Sequence, residues 1–240
     1  MAYPVLNRSD LDKKGGGVDR RDLYSGIIIG NGEVGMALEK IFRCTAFDIH
    51  ERRWHNNAEW MHIAFPYSEK FEEEVIRYQN LYNPAFTIVH STVPVGTCTR
   101  LNSDRFRVVH SPIRGMAPNL EEGIRTHVKF IGGPSASDVA EYFRDHGLRI
   151  HLCDKSEATE LGMLLGTENY RINIEFAKHA KELCDKHEVP FNESYTLFAN
   201  AYNEGWQKLG RPEYIRQVLV PIMSTIGGHC LESNKELIKK

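Results

Sequence analysis

Three closely spaced glycines, Gly30, Gly32 and Gly35, follow a short apolar run at residues 25–30 and precede a segment whose apolar residues have helical spacing. The pattern is G-x-G-x-x-G. Between a strand and a helix, the first glycine permits a tight turn, the second lets the backbone approach a phosphate, and the third lets helix and strand pack closely. The start of the helix then offers unpaired N–H groups to an anion. The motif therefore predicts a strand–turn–helix unit with a phosphate-binding end.

Segments of strand and helix character alternate from Ser25 to Cys153. The predicted strands are residues 25–30, 44–50, 61–66, 85–91, 105–111, 127–133 and 148–153. Amphipathic segments separate several of them, and one apolar face per segment is typical of helices packed on a sheet. This alternation predicts an α/β fold, with a Rossmann-type doubly wound parallel sheet. Only about ten residues connect the second strand to the third, so the outer part of the first half of the sheet is predicted to be trimmed.

The pattern changes at Asp154, where strand segments give way to helices. Residues 154–188 carry an apolar stripe at spacings of three, four and seven, which predicts one long helix. Further helices are predicted over 192–209 and 212–219. We expect a flexible N-terminal arm over 1–24, an NAD-binding domain over 25–153 and a helical dimerisation domain over 154–240.

Composition excludes several classes of function. The net charge of −2 and the absence of basic runs argue against a nucleic-acid partner, and no apolar stretch is long enough for a membrane span. The five cysteines include no CxxC pair, and the eleven histidines form no HExxH motif, so no metal site is expected. The polar N-terminus lacks the apolar core of a signal peptide, which favours a cytoplasmic protein.

A carboxylate in the second strand indicates which dinucleotide the glycine turn would receive. Asp48 ends the segment 18 residues after Gly30 and can accept hydrogen bonds from the hydroxyl groups of an adenosine ribose. Arg52 and Arg53 could instead accept a 2′-phosphate, but Asp48 would repel that group. NAD is therefore favoured over NADP, although Glu33 adds a second carboxylate near the expected phosphates.

Further motifs in the same order resemble a known family. Ser91-Thr92-Val93-Pro94-Val95-Gly96-Thr97 follows one strand, Ser111-Pro112 follows the next, and Gly227-Gly228-His229-Cys230 lies near the end of the chain. This series resembles the UDP-glucose/GDP-mannose family of nucleotide-sugar dehydrogenases. The resemblance implies an NAD-binding domain, a helical region used for dimerisation, and two hydride transfers that convert a sugar alcohol to a carboxylate.

The resemblance also implies roles for individual residues. Cys230 occupies the position of the cysteine that forms a thiohemiacetal and then a thioester, and Thr92 would contact the nicotinamide end or orient a water. Together with the glycine turn, the implied cofactor contacts are Gly30, Asn31, Gly32, Glu33, Val34, Gly35, Asp48, Phe65, Pro66, Ser91 and Thr92.

Three positions depart from the family pattern. Met163, Thr167 and Asn234 stand where the family has a lysine, an asparagine and an aspartate. Because lysine and asparagine stabilise a developing oxyanion, losing one such donor typically costs about a hundred- to a thousand-fold in rate. The chain also ends at Lys240, where the family's third domain would begin, so we expect a truncated form with a degraded catalytic set.

Three functional hypotheses remain from these observations. The first is an NAD-dependent oxidoreductase that acts on the CH–OH group of a sugar-nucleotide-like or smaller alcohol, as a homodimer. The second is a non-catalytic protein that binds a dinucleotide or a nucleotide-sugar, or one half of a split dehydrogenase. A β-hydroxyacid-type dehydrogenase is a weaker third hypothesis, because such enzymes use a helix lysine that is missing here.

Overall fold

A computed structural model describes residues 25–48, 58–115, 118–220, 234 and 236–239. Its strands are β1 (Gly26–Ile29), β2 (Thr45–Phe47), β3 (Trp60–Ile63), β4 (Phe86–Val89), β5 (Arg107–His110), β6 (Lys129–Gly132) and β7 (Ile150–Cys153). Its α-helices are α1 (Glu33–Phe42), α2 (Phe71–Tyr82), α3 (Thr97–Leu101), α4 (Leu120–Thr126), α5 (Ala136–Asp145), α6 (Ser156–Lys186) and α7 (Phe198–Lys208). All seven predicted strands are confirmed.

The strands form one sheet in the order β2-β1-β3-β4-β5-β6-β7. Pairing is parallel throughout except between β5 and β6, which meet antiparallel at His110 and Gly132. The predicted α/β sheet is therefore confirmed, with one reversed pair that the alternation of segments could not reveal. Within the described part of the chain β2 is the outermost strand on its side, as the short connection after it predicts.

Helices cover both faces of the sheet. Successive residues of β1 point to opposite faces, so Ile28 packs in one apolar cluster while Ile27 and Ile29 pack in the other. Side chains of α1, α4 and α5 join the first cluster, and side chains of α2 and α3 join the second. Burial on both faces explains why the strands are continuous apolar runs, and it makes the sheet doubly wound as predicted.

The chain divides into two compact units, at Glu160 and Leu161, within α6. The second unit contains the rest of that 31-residue helix, a π-helix (Asn192–Leu197), α7 and a short 3₁₀ turn (Pro212–Tyr214). The long helix is thus confirmed. Of the described helices, none is both long enough and apolar enough to cross a membrane.

The helix predicted over 212–219 is wrong, since only the 3₁₀ turn forms there. The backbone at Arg216 pairs with a side chain instead of continuing a helix. Asn203 accepts a hydrogen bond from the Arg216 N–H at 2.9 Å and donates one to its carbonyl oxygen at 2.8 Å. This side-chain pairing satisfies both backbone groups that a helix would otherwise use.

Candidate functional site

The candidate site lies where β1, β3 and β4 end side by side. Ile29, Ile63 and Val89 are partners in register, so the residues that follow them share one edge of the sheet. The chain leaves β1 towards β2 on one side and returns to β3 on the other. In open α/β sheets, this reversal of strand order opens a crevice at the carboxyl ends of the strands, where ligands bind.

Each glycine of the turn meets a different steric demand. Gly30 has a positive φ of 108°, and a Cβ there would lie 2.7 Å from the carbonyl carbon of Ala64. A Cβ at Gly35 would overlap the carbonyl oxygen of Gly30. A Cβ at Gly32, by contrast, would have no atom within 4 Å. Packing within the protein therefore requires Gly30 and Gly35. Gly32, by contrast, faces open space through which a ligand could approach the protein backbone.

The start of α1 supplies the electrostatics of this space. Gly32 is the N-cap, and no side chain caps the helix. The first N–H groups of α1 are consequently available to an anion, and the helix dipole favours negative charge there. Asn31 and Glu33 are exposed and Val34 is half-buried. The Glu33 carboxylate lies in the first turn of α1, so it also interacts with the positive end of the helix dipole and would repel a phosphate bound there.

Asp48 lies next to the turn, as the sequence predicts. The Gly30 N–H donates a hydrogen bond to the carbonyl oxygen of Phe47 at 2.8 Å, which joins the end of β1 to the end of β2. Asp48 follows directly and is exposed. The structure therefore brings this carboxylate and the glycine turn together, while Arg52 and Arg53 lie outside the described residues.

Phe65, Pro66 and Ser91 also reach this edge, but they do so in different ways. The Phe65 side chain is buried and its ring packs against Phe71, with centroids 5.0 Å apart. The Ser91 hydroxyl donates to the carbonyl oxygen of Phe65 at 2.6 Å. Pro66 is exposed and Thr92 is half-buried. Phe65 can therefore face a cofactor only through its backbone, whereas Pro66 and Thr92 retain accessible side chains.

A buried chain of hydrogen bonds runs through one face of the sheet to the same edge. It joins the Tyr142 hydroxyl to His62 Nε2 at 2.8 Å, His62 Nδ1 to His90 Nε2 at 2.9 Å, and His90 Nδ1 to the carbonyl oxygen of Ser111 at 2.8 Å. Burial lowers the pKa of His62 to about 3, and that of His90 well below its usual value. Both rings are therefore neutral and fully hydrogen-bonded.

These pairings fix the direction of the chain. A carbonyl oxygen only accepts, so His90 Nδ1 carries a proton and His90 Nε2 accepts from His62. His62 Nε2 then accepts from Tyr142. No group of metal-ligating side chains occurs in the part of the chain that the structure describes.

Lys129 donates hydrogen bonds to the loop that follows β5, and this role was not predicted from the sequence. Its side chain is buried, and Nζ donates to the carbonyl oxygens of Ser111 and Pro112 at 2.7 and 2.6 Å. Burial lowers the pKa of this amine well below its usual value. The Ser-Pro pair that follows β5 is consequently held by hydrogen bonds from both His90 and Lys129.

Thr167 and Asn234, two of the three positions that depart from the family pattern, meet in the second unit. Asn234 Nδ2 donates to the Thr167 hydroxyl at 3.3 Å, and that hydroxyl donates to the carbonyl oxygen of Met163 at 2.9 Å. The Thr167 and Asn234 side chains are therefore both uncharged, and they bond to each other and to the backbone of α6. Cys230, the predicted nucleophile, lies outside the described residues.

Comparison with known proteins supports the same architecture. No protein-family profile matches the chain, and no curated protein matches it in sequence. Among solved structures, UDP-D-ManNAc dehydrogenase from Pyrococcus horikoshii is similar with a TM-score of 0.73 and 18% identity, over 89% of this chain and 63% of that one. This chain thus spans less than two thirds of the length of that protein.

Two further solved structures are similar to this chain in fold. UDP-N-acetyl-mannosamine dehydrogenase from Staphylococcus aureus has a TM-score of 0.62 and 12% identity, over 89% of this chain and 67% of that one. 3-Hydroxyisobutyrate dehydrogenase from Mycobacterium tuberculosis has a TM-score of 0.60 and 14% identity, over 74% and 70%. At these identities the likeness concerns the fold, and this chain has the fold that these dehydrogenases share.

Proposed function

We propose that this protein binds NAD at the glycine turn and is a dehydrogenase of the nucleotide-sugar type. The observation that carries the proposal is the contrast among the three glycines. Gly30 and Gly35 are explained by packing within the protein, but Gly32 borders open space directly at an uncapped helix end. A pyrophosphate approaching that backbone accounts for Gly32 and for the missing cap together.

The proposed orientation follows from the order of the strands. Asp48 lies at the end of β2, on one side of the reversal, and would bind the adenosine ribose. Ser91 and Thr92 lie at the end of β4, on the other side, and would face the nicotinamide half. A 2′-phosphate would meet the Asp48 carboxylate, which supports NAD over NADP.

The proposed reaction is the oxidation of a CH–OH group in a sugar-nucleotide-like or smaller alcohol. NAD would take the hydride, and the hydroxyl proton would leave to a base or water. Thr92 would orient the reacting group or a water beside the nicotinamide, and Cys230 would be the nucleophile for any second oxidation. The shared fold with dehydrogenases of sugar nucleotides and of a hydroxy acid supports this class of reaction. A cytoplasmic location is part of the same proposal.

A second candidate function is binding without turnover, by this chain alone or as one half of a split enzyme. The hydrogen-bonded pair of Thr167 and Asn234 favours it, because neither side chain carries a charge and the Thr167 hydroxyl donates its proton to the Met163 carbonyl oxygen. Hydride transfer distinguishes the two candidates. Reduction of NAD by any alcohol at high protein concentration, lost in Thr92→Ala, supports the enzyme, and Cys230→Ala should abolish only a second oxidation. NAD binding with no turnover supports the second candidate.

A homodimer through the second unit is also proposed. Leucine, isoleucine and phenylalanine side chains remain 41–55% exposed along α6, namely Leu161, Leu165, Ile172, Phe176 and Leu183. Such a contiguous apolar stripe usually marks an interface. Light scattering should give twice the 27.5 kDa mass of the chain, and Phe176→Glu should shift it towards the monomer. A monomeric wild type at micromolar concentration overturns this part of the proposal.

The decisive experiment is calorimetric titration with NAD, NADH and NADP. We expect binding of NAD or NADH, weaker binding of NADP, and at least a tenfold loss of affinity in Gly32→Ala. Because Gly32 has a negative φ and open space around it, this variant should fold normally. Gly205→Ala is the matched control, since its Cβ also meets open space but lies on α7. No binding by wild type, or equal binding by Gly32→Ala, contradicts the proposal.

A further inference from the structure

The segment that follows β4, residues Ser91–Thr99, is fixed at both ends by polar groups that the proposed reaction does not use. We call it the β4 segment. Its far end contacts the first turn of α6, and its near end contacts a buried histidine that is itself bonded to that turn. All of these residues belong to the first unit.

At the far end, the Glu160 carboxylate holds the backbone. Its two oxygens accept hydrogen bonds from the Gly96 N–H at 2.6 Å and the Cys98 N–H at 2.8 Å. Gly96 has a left-handed conformation with φ 86° and directly precedes α3. The two hydrogen bonds to Glu160 therefore hold the turn that leads into α3. Glu160 is fully buried. A buried carboxylate is costly unless its oxygens are satisfied, and here both are satisfied by the β4 segment.

A neighbouring contact reinforces this end. The Thr99 hydroxyl donates to Glu157 at 2.8 Å and lies 3.3 Å from the Ser156 hydroxyl. Three residues in the first two turns of α6, namely Ser156, Glu157 and Glu160, therefore bond to the same end of the segment. Glu157 is only half-buried, so Glu160 is the member whose removal would leave buried N–H groups without acceptors.

At the near end, His110 lies between α6 and Ser91. Its Nδ1 is 2.9 Å from the Thr159 hydroxyl and its Nε2 is 3.2 Å from the carbonyl oxygen of Ser91. The carbonyl only accepts, so Nε2 carries the proton, and Nδ1 shares the single Thr159 hydroxyl proton with the carbonyl oxygen of Ser156, which lies 2.8 Å from that hydroxyl. Ser91 in turn bonds to the backbone of Phe65. The start of α6 is thereby connected to two predicted cofactor residues.

We propose that Glu160 and His110 are positioning residues that hold the β4 segment in the shape that receives the nicotinamide half of the dinucleotide. This inference rests on the proposed function. The adenosine half would use the glycine turn and Asp48, on the other side of the strand reversal, and neither residue contacts that side in the described structure. Loss of either positioning residue should therefore affect one half of the ligand.

The test compares NAD with ADP-ribose, which shares the adenosine half and the pyrophosphate but lacks nicotinamide. The variants are Glu160→Gln and the milder Thr159→Val, which removes the hydroxyl bonded to His110 while keeping the side-chain shape. Glu121→Gln, at an exposed ion pair on α4, is the control. We expect NAD affinity to fall at least fivefold in both variants, and ADP-ribose affinity to change less than twofold.

Equal losses for NAD and ADP-ribose, or no loss for either, overturn the inference, because they indicate a general fold defect or no positioning. Amide hydrogen exchange gives an independent readout on the ligand-free protein. The Gly96 and Cys98 amides should exchange at least tenfold faster in Glu160→Gln than in Glu121→Gln, and unchanged exchange also overturns the inference. If wild type binds neither ligand, the proposed function fails, while the exchange result still decides whether Glu160 holds the segment.

Discussion

Gly35 packs so closely on Gly30 that a Cβ atom at position 35 would overlap the carbonyl oxygen of Gly30. The contact joins the first turn of α1 to the end of β1. It fixes where the helix begins relative to the sheet edge, and thus where the uncapped N–H groups point. The relationship explains the third glycine of the motif without any ligand, and it separates the stability of the turn from its binding role.

Gly35→Ala should therefore destabilise the protein. The backbone of α1 must shift to relieve the overlap, and forcing an additional carbon into a packed site typically costs about 1–3 kcal/mol. Urea unfolding followed by circular dichroism measures the change. Gly162→Ala is the control, because its Cβ meets open space within α6 and should stabilise the helix by about 0.5–1 kcal/mol. Equal stability of Gly35→Ala and wild type would contradict the packing.

Acid should unfold the protein more readily than its net charge suggests. Burial lowers the pKa of both His62 and His110 from 6.5 to about 3, so below pH 6.5 the unfolded chain binds protons that the folded chain does not. Stability is then fully present above pH 6.5 and is lost as the pH falls towards 3, by about 1.4 kcal/mol per pH unit for each histidine.

Denaturant titrations at pH 7, 6 and 5 measure this dependence. Thr159→Val, which removes a partner of His110, should lower stability at every pH. An unfolding free energy that stays constant between pH 7 and 5 would show that these rings are protonated in the folded state.

Lys129→Met should change how stability depends on alkaline pH. Burial lowers the pKa of Lys129 well below 10.5, so the unfolded wild type binds an additional proton between the two pKa values. The contribution of Lys129 therefore increases as the pH rises towards 10.5, by about 1.4 kcal/mol per unit once the folded amine is neutral. Methionine lacks this dependence. The difference in unfolding free energy between wild type and variant should consequently grow from pH 7 to pH 10.

Lys208→Met is the control for this experiment, because Lys208 is exposed on α7. A constant difference for Lys129→Met would mean that the buried amine keeps its proton throughout this range.

The sequence predicted the strands well because burial on both faces leaves continuous apolar runs such as Gly26–Ile29 and Phe86–Val89. It predicted the positions of the turn and of Asp48 at one edge of the sheet because both depend on local spacing. It could not predict the reversal of β6, since alternation specifies which segments pair with the sheet and not their direction. The prediction of a helix over 212–219 was wrong for a related reason. The Asn203 side chain, thirteen residues earlier, bonds to both backbone groups of Arg216.

The supporting residues of the site were missed for the same physical reason. Glu160 bonds to Gly96 and Cys98, which lie more than sixty residues earlier. Lys129 bonds to carbonyl groups that any residue possesses. Neither contact leaves a recurring spacing or a paired residue type in the chain. Long-range bonds to backbone groups are specified only once the sheet has formed.

The chain of hydrogen bonds from Tyr142 through His62 and His90 to Ser111 ends on an amide oxygen, which does not release a proton onwards. Every donor in it points the same way, so reversing it would require moving three protons at once and would leave the last one without a base. The chain therefore does not transfer protons, although two hydrogen-bonded imidazoles often do so in proteins. A proton released at the sheet edge is therefore not expected to leave along this chain of hydrogen bonds.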